Sequence, residues 1–489
     1  MRQRLFLGLV AVLPLHTVYL SAWISWKPFL LLLALLAVWD LVEGIRERAW
    51  PWHHRVSLAF GVFLATVAIG FPEPEFRTRF IRLTLALVVG FLVTVVTEKA
   101  LRVPGMVDRT LRVIFWTAAA MAVSGVVFSV LLLGAGGNEV IDYLTGSRGY
   151  DLPLFDKIGK PAYLLSGFLA LSNWHPDPGY GAAWMVLWST LALIASQRGL
   201  GTRRPWLDGA IIGALWVGVV MAFSRTGWVA LLVSVGVVAF SRIRRRPGTA
   251  FDARKPGRLR PTLVAAVLSA VLILTGLFAV DVEDVGGELP LQFAFRLRQG
   301  WDFLADLTGL FQTSAAFEDQ FSQTEQRADV WPEYWRLFLD HPVIGAGLGV
   351  GWETNSVGQE PHNLFLELGA ETGLVGLAAF VLLVATIIGA GAGLVGGVAL
   401  TTSFLPAMTQ TVLFEPSWWF AAGLFLAGGF RAAGDRPGEA RKAKVSGGVR
   451  GNHPNNRWRL TVRSRTERPD RRGATCESTR QLASPCSWR

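Results

Sequence analysis

Residues 363–386 read NLFLELGAETGLVGLAAFVLLVAT and decide the fold. The run from Leu374 onward is apolar without interruption, and the whole stretch has the length that a bilayer core requires, about 17–25 residues. Since lipid offers the backbone no hydrogen bonds, a chain that crosses it here must be helical. The stretch therefore predicts a transmembrane helix, with two carboxylates, Glu367 and Glu371, in its first turns.

Apolar runs of this kind recur along most of the 489 residues, of which 52% are hydrophobic and only 17% charged. A soluble protein carries roughly 25% charged residues. The runs predict an all-α polytopic integral membrane protein with about 12 transmembrane helices. The predicted spans are 5–22, 28–43, 55–71, 79–97, 112–134, 179–196, 207–223, 227–242, 261–280, 363–386, 392–410 and 416–430.

The charges of the short connections predict an orientation. Every second connection is rich in Lys and Arg, as between spans two and three and between spans four and five, and such loops face the cytoplasm. Both termini are then cytoplasmic. A large extracytoplasmic loop, 281–362, lies between spans nine and ten and is strongly acidic. Arg77 and Arg79 break the pattern, because they fall on the outer side.

The segment 431–489 differs in composition from the membrane domain predicted for residues 1–430. It holds 15 Lys and Arg against five Asp and Glu, and so carries most of the net charge of +11. Few of its residues are apolar, so we predict a disordered cytoplasmic tail. Its expected partners are anionic membrane lipids rather than nucleic acid. Both cysteines, Cys476 and Cys486, lie in it, and they indicate neither a disulfide framework nor a zinc site.

The very short outward turn between spans seven and eight contains Ser224-Arg225-Thr226-Gly227-Trp228. An arginine held this close to two spans costs about 2.5–3.5 kcal/mol if it is buried in lipid. One interpretation is an interfacial arginine that reaches the headgroups. The other is an anion clamp at the outer face, because guanidinium donors match phosphate oxygens in pairs.

A second motif lies in the large loop, from Glu325-Gln326-Arg327 to Gly345-Ala346-Gly347-Leu348-Gly349. Its first part has apolar residues at helical spacing, and Pro342 with the glycines ends that helix in a tight turn. Arg327 is either a solvated surface charge or a ligand for an anion. The three glycines either make the turn or form a phosphate-binding loop, although no Lys-Ser/Thr follows as in a P-loop.

A third motif, His362-Asn363-Leu364-Phe365-Leu366-Glu367, stands where the loop re-enters the membrane. His362 is either an interfacial cap of span ten or a base that takes a proton from an acceptor hydroxyl near neutral pH. Glu367 and Glu371 share one helix face, where acidic groups line a cavity or pair with cations.

In this order the three motifs resemble the O-antigen ligase and polymerase superfamily of membrane glycosyltransferases, with the best match over 205–430. The resemblance implies transfer of a glycan from undecaprenyl diphosphate to an acceptor hydroxyl outside the cytoplasm, without a metal or other cofactor and with inversion. The acceptor is lipid-linked or another glycan. It implies catalytic roles for Arg225, Arg327 and His362, the arginines at the diphosphate and the histidine at the acceptor. Expected substrate-binding residues are Ser224, Gly345, Gly347, Gly349, Asn363, Glu367 and Glu371.

Four functions remain open: a ligase, a polymerase of the same superfamily, a small-anion transporter resembling bicarbonate carriers, and a non-catalytic scaffold of the cell envelope. A transporter needs ionisable groups in the membrane interior, for which Asp40 and His16 are the candidates. The charged motifs instead cluster at the predicted outer face, which favours surface chemistry. We expect a protein of the bacterial cytoplasmic membrane with an extracytoplasmic active site.

Overall fold

The computed structural model describes residues 1–15, 28–134, 178–221, 225–243, 259–279, 323–356, 358, 360–361, 363–391, 394–407 and 412–434. Most of this part of the chain is helical, and it contains no strand. The helices are α1 (Arg2–Val12), α2 (Pro28–Glu47), α3 (His54–Ile69), α4 (Arg77–Leu101), α5 (Met106–Gly134), α6 (Pro178–Gln197), α7 (Pro205–Met221), α8 (Arg225–Ile243), α9 (Leu259–Ala279), α10 (Gln323–Asp340), α11 (Val350–Thr354), α12 (Leu364–Ala390), α13 (Leu394–Ala407) and α14 (Pro416–Gly434).

A helix lies at each predicted apolar run, and several helices begin earlier than the run. Pro28, Pro178, Pro205 and Pro416 are each the first residue of a helix. Proline suits this position because its fixed φ is helical and its missing N–H has no partner there in any case. The apolar runs therefore predict the positions of these helices, and proline at the first position marks where four of them begin.

Within the described residues, three segments are both long and apolar enough to cross a membrane: Pro28–Glu47, Pro74–Leu101 and Leu364–Ala390. Five shorter apolar helices accompany them, among them those at His54–Ile69 and Gly227–Phe240. The all-helical fold is thus confirmed for the described residues, with three candidate membrane spans, while the number of spans and the loop placement stay predictions. Residues 281–322, and the tail from 435 onward, lie outside the described residues.

Helix α6 is the centre of the bundle, since every residue from 181 to 197 is buried. It packs against α5, α7, α8 and α13. Its Trp184 and Trp188 rings lie 4.9 Å apart, and Trp188 lies 5.6 Å from Phe420 of α14. These large aromatic surfaces fill the space between helices where lipid would otherwise enter.

Close helix contacts depend on small residues at the crossing points. Gly209 and Gly213 of α7 stand four residues apart, and a side chain on either would overlap α9 around Thr262 and Ala266. This is the small-xxx-small pattern by which membrane helices approach one another. At the other side of the bundle, Gly90 of α4 lies against the Trp419 ring of α14.

Candidate functional site

Helix α12 is broken at Gly373, where φ is 64° and ψ is −171°. The break leaves backbone groups unpaired within the helix, and the segment 342–347 inserts beside it. The Leu374 and Val375 N–H groups donate to the carbonyls of Pro342 and Val343, at 2.9 and 3.1 Å. In the opposite direction, the amides at positions 346 and 347 donate to the carbonyls of residues 370 and 371, at 3.0 and 2.9 Å. The inserted segment thus satisfies the broken helix, as lipid could not.

The glycines that directly follow this segment hold the side chain of Glu371, which is buried and 1% exposed. Gly349 N–H donates to Oε2 at 2.8 Å, and Gly351 N–H donates to Oε1 at 3.2 Å. A backbone hydrogen bond contributes about 0.5–1.5 kcal/mol net, and leaving a buried amide without its acceptor costs about 1–3 kcal/mol. We call the glycine segment 345–351 with Glu371 the carboxylate socket. The second and third sequence motifs therefore form one structural unit.

Glycine is required at positions 345, 347 and 349 because neighbouring atoms occupy the space that a Cβ would need. Gly345, Gly347 and Gly349 all have positive φ values, of 74°, 111° and 88°. A Cβ on Gly345 would overlap the Glu371 backbone, one on Gly347 would lie 2.8 Å from the Gly70 carbonyl, and one on Gly349 would lie 2.9 Å from Arg79 Cγ. Their predicted role in substrate binding remains a prediction. In this structure the amides of Gly345, Gly347 and Gly349 are directed at protein acceptors.

Helix α10, which contains Arg327, packs on α12 through Val330 and Tyr334 against Ala370. Burial raises the pKa of the Tyr334 phenol, and the carboxylates of Glu371 and Glu367 raise it further. The phenol therefore stays neutral. Its hydroxyl is buried without a hydrogen-bond partner among the described residues.

The residues on both sides of His362 are held in place. Trp331 of α10 donates its indole N–H to the Pro361 carbonyl at 2.7 Å. Asn363 caps α12, because its Oδ1 accepts from the amides of Phe365 and Leu366 at 3.1 Å each. Such a cap contributes about 1 kcal/mol. Trp331 lies one turn after Arg327, so it links the helix of that arginine to the segment of the histidine.

A further link joins α10 to the end of α11. Glu333 accepts from the Ser356 hydroxyl at 2.6 Å and from its amide at 2.8 Å. The hydroxyl donor first, and then the amide, hold the pKa of Glu333 below its ordinary value. This contact lies at the surface, so solvent screening limits what it contributes.

Arg79 of α4 reaches the same loop from the N-terminal half of the chain. Its guanidinium lies 4.1 Å over the Trp352 ring, 3.7 Å from the Glu353 carboxylate and 3.8 Å from that of Glu360. Sequence reasoning did not assign Arg79 to the site. The signal was present, since Arg79 was one of two arginines on the predicted outer side that broke the charge pattern.

The predicted catalytic residues are placed only in part. Arg225 is the first residue of α8, and Arg327 lies in the first turns of α10, but their side chains are outside the described part. Ser224 and His362 lie outside the described residues altogether. Glu367 is buried one turn before Glu371. Convergence of the two arginines and the histidine on one site therefore stays a prediction.

Asp40, a candidate for transport chemistry, is instead part of an ion cluster. It is fully buried, accepts from Arg2 Nε and Nη2 at 2.6 and 2.8 Å, and lies 3.2 Å from Lys99 Nζ. Two cations that hold one carboxylate join α1, α2 and α4. His16 lies outside the described residues.

Two comparisons with known proteins bear on this arrangement. Residues 210–381 match the family model described as O-antigen ligase. The match begins inside α7 and ends inside α12, so it contains Arg225, Arg327, His362 and the whole carboxylate socket. No curated protein matches the chain.

Proposed function

We propose that this chain, whose residues 210–381 match the O-antigen ligase family model, is a membrane glycosyltransferase that transfers a glycan from undecaprenyl diphosphate to an acceptor hydroxyl at the outer face of the cytoplasmic membrane. The observation that carries the proposal is the family match over 210–381, which contains each motif singled out in the sequence. The buttressing of the loop around position 362 supports it, since a catalytic base must be held within reach of its proton.

Each predicted catalytic residue has a distinct task. Arg225 and Arg327 bind the diphosphate and stabilise the charge that it gains when the bond to the anomeric carbon breaks. His362 takes the proton of the acceptor hydroxyl as its oxygen forms the new bond to that carbon. One displacement of this kind inverts the anomeric configuration. A diphosphate is a good leaving group, so these tasks require no metal ion.

The carboxylate socket supports the histidine rather than the reaction itself. It fixes the start of the segment that ends at His362, while Trp331 and Asn363 fix its far end. Preorganised groups avoid the cost of ordering the loop during each turnover. Asn363 directly follows the histidine, Glu367 lies five residues after it, and both stay candidates for contact with the acceptor.

The test is glycan transfer by the purified full-length protein in liposomes, from an undecaprenyl-diphosphate donor to candidate acceptors. His362→Ala and Arg225→Ala should each abolish transfer while the protein remains folded. The matched controls are His341→Ala and Arg336→Ala, since both wild-type side chains are exposed on the loop. Equal loss in a control and its partner variant would contradict the assigned roles.

The acceptors used in this assay separate the ligase from the polymerase. Transfer to a lipid A core sugar supports a ligase, and transfer to a second lipid-linked repeat unit supports a polymerase. A folded protein that transfers to neither acceptor would contradict the proposal, and anion flux into the same liposomes would then be measured. The ion cluster around Asp40 does not favour that outcome, because the candidate carboxylate is occupied by two cations.

A further inference from the structure

Helix α10 presents three faces of different character. The first, with Val330 and Tyr334, is buried against α12. The second carries Glu333, Arg336 and Asp340, which line an open polar cavity of about 360 Å³ beside α11. The third face is apolar and is not covered by the described residues, and the site described above does not account for it.

The third face is a row of large apolar side chains one helical turn apart. Trp331, Trp335 and Leu339 are 45%, 54% and 58% exposed. Val343 and Ile344 extend the row beyond the helix and are 58% and 47% exposed. We call these five residues the apolar stripe. Exposed apolar side chains that are contiguous, rather than scattered, mark a contact surface.

The stripe continues onto a helix that is long and apolar enough to cross the membrane. Backbone hydrogen bonds hold Pro342 and Val343 beside Leu374 and Val375 of α12. Leu374 and Val375 are themselves 55% and 41% exposed, and α12 is one of the candidate spans. The exposed apolar residues at this point of α12 are therefore adjacent to Val343 of the stripe.

We propose that α10 is an interfacial helix whose apolar stripe lies in the acyl chains of the outer leaflet. Helices of this type bear tryptophan and leucine on one face and charged residues on the other, and they lie in the plane of the interface. Trp331 suits this depth because its N–H is satisfied by the Pro361 carbonyl while its ring is exposed. The polar cavity then faces water.

This depth has a consequence for the motif that α10 carries. Arg327 lies one turn before Trp331, so the helix brings it to the level of the headgroups. A lipid-linked diphosphate has its charge at that level. The membrane contact itself is independent of the proposed function, because it concerns where the helix lies and not what it transfers.

Site-directed spin labelling tests the proposal. The chain has two cysteines, Cys476 and Cys486, so changing both to serine leaves a background for single cysteines. Labels are placed at Trp335 and Leu339 on the stripe and at Arg336 and Asp340 on the polar face. Leu382 of α12, which is 52% exposed, serves as a lipid-facing reference. Each protein is reconstituted in phosphatidylethanolamine and phosphatidylglycerol liposomes.

The measured quantity is the accessibility of each label to oxygen, which partitions into lipid, relative to a water-soluble nickel complex. The proposal predicts a severalfold higher ratio at positions 335 and 339 than at 336 and 340, with values between those at 336 and 340 and the value at 382. A ratio as low at 335 and 339 as at 336 and 340 would overturn it. Stripe labels shielded from both reagents would also overturn it, since a protein partner or a second copy would then cover the stripe. A cooperative thermal unfolding transition is the check that each labelled protein is folded.

Discussion

Two buried carboxylates, Asp40 and Glu371, are satisfied in opposite ways. Asp40 is held by side-chain cations, Arg2 and Lys99, which are 13% and 19% exposed and therefore reach water. Glu371 is held by backbone amides of a glycine segment that is itself inserted in a broken helix. The first arrangement depends on charge, and the second depends on backbone geometry.

The difference indicates where the chain tolerates change. A cation cluster at the edge of the bundle can rearrange, because long side chains find water or another acceptor. Amides fixed in a tight segment cannot turn away, so an altered partner leaves them unsatisfied, at about 1–3 kcal/mol for each group. The segment around position 362 is built on this second, less tolerant arrangement.

The largest effect is expected for Gly373→Ala. At φ 64° and ψ −171° a residue with a Cβ is strained, and the added atom would also overlap the Val343 carbonyl. The free energy of unfolding should fall by about 3 kcal/mol or more. Thermal unfolding in detergent checks this, with Gly389→Ala of the same helix as the control, because nothing lies within 4 Å of a Cβ there. Equal unfolding midpoints for the two variants would contradict the helix break.

The second-largest effect is expected in the free energy of unfolding of Glu371→Gln. Its comparison with Asp40→Asn tests the two carboxylates directly. Glutamine turns an NH2 group toward one of the two amides, so we expect a loss of about 2–3 kcal/mol of unfolding free energy. Asparagine at position 40 frees two cations that water can solvate, so the loss should be smaller. A larger loss for Asp40→Asn in chemical denaturation would reverse the ranking.

A smaller effect on activity is expected for Trp331→Phe, which removes the hydrogen bond to the Pro361 carbonyl and keeps an aromatic ring. A loss of about 1 kcal/mol in positioning lowers kcat for glycan transfer about fivefold. KM for the donor should stay nearly constant, because the diphosphate contacts are not altered. Trp335→Phe, one turn further along the same face, is the control. A rise in the donor KM with kcat unchanged would contradict a positioning role.

The smallest effect concerns Ser356→Ala and pH. Since the pKa of Glu333 is lowered in the folded protein, its bonds to Ser356 contribute fully above the ordinary glutamate value of about 4.3. That contribution is lost as pH falls through the lowered pKa. The difference in unfolding midpoint between wild type and Ser356→Ala should therefore be small at pH 7 and shrink as the pH falls through the lowered pKa of Glu333. Thr354→Ala, whose hydroxyl bonds only to the Val350 carbonyl, should show no such pH dependence.

The sequence allowed prediction of the helices and of the motifs, because both depend on local patterns. Apolar runs located twelve of the described helices, whereas α10 followed from helical spacing in the second motif and α11 was not predicted. The family pattern singled out Gly345, Gly347, Gly349 and Glu371. It could not show that these residues bond to each other. Glu371 lies 22 residues after Gly349. Nothing local indicates that a glycine segment inserts in a helix break rather than binding phosphate.

Other residues were missed because their partners lie far away in the chain. Arg79 lies more than 270 residues before Glu353 and Glu360, so only its unusual position on the outer side hinted at a role. Nothing in the sequence around Trp331 indicates what its indole contacts. Its indole bond to Pro361 depends on how α10 packs on α12, which follows from tertiary structure.

The most direct test of the central claim, that the glycine segment is a socket for Glu371, is hydrogen–deuterium exchange of the protein in liposomes. This hydrogen bonding predicts slow exchange of the backbone amides of residues 345–351 in the wild type. The amides that donate to protein acceptors are those of Gly345, Ala346, Gly347, Gly349, Val350 and Gly351. The same hydrogen bonding also predicts that Glu371→Gln speeds exchange there and leaves α2 and α4 unchanged. Rapid exchange of residues 345–351 in the wild type, or protection that Glu371→Gln does not alter, would contradict it.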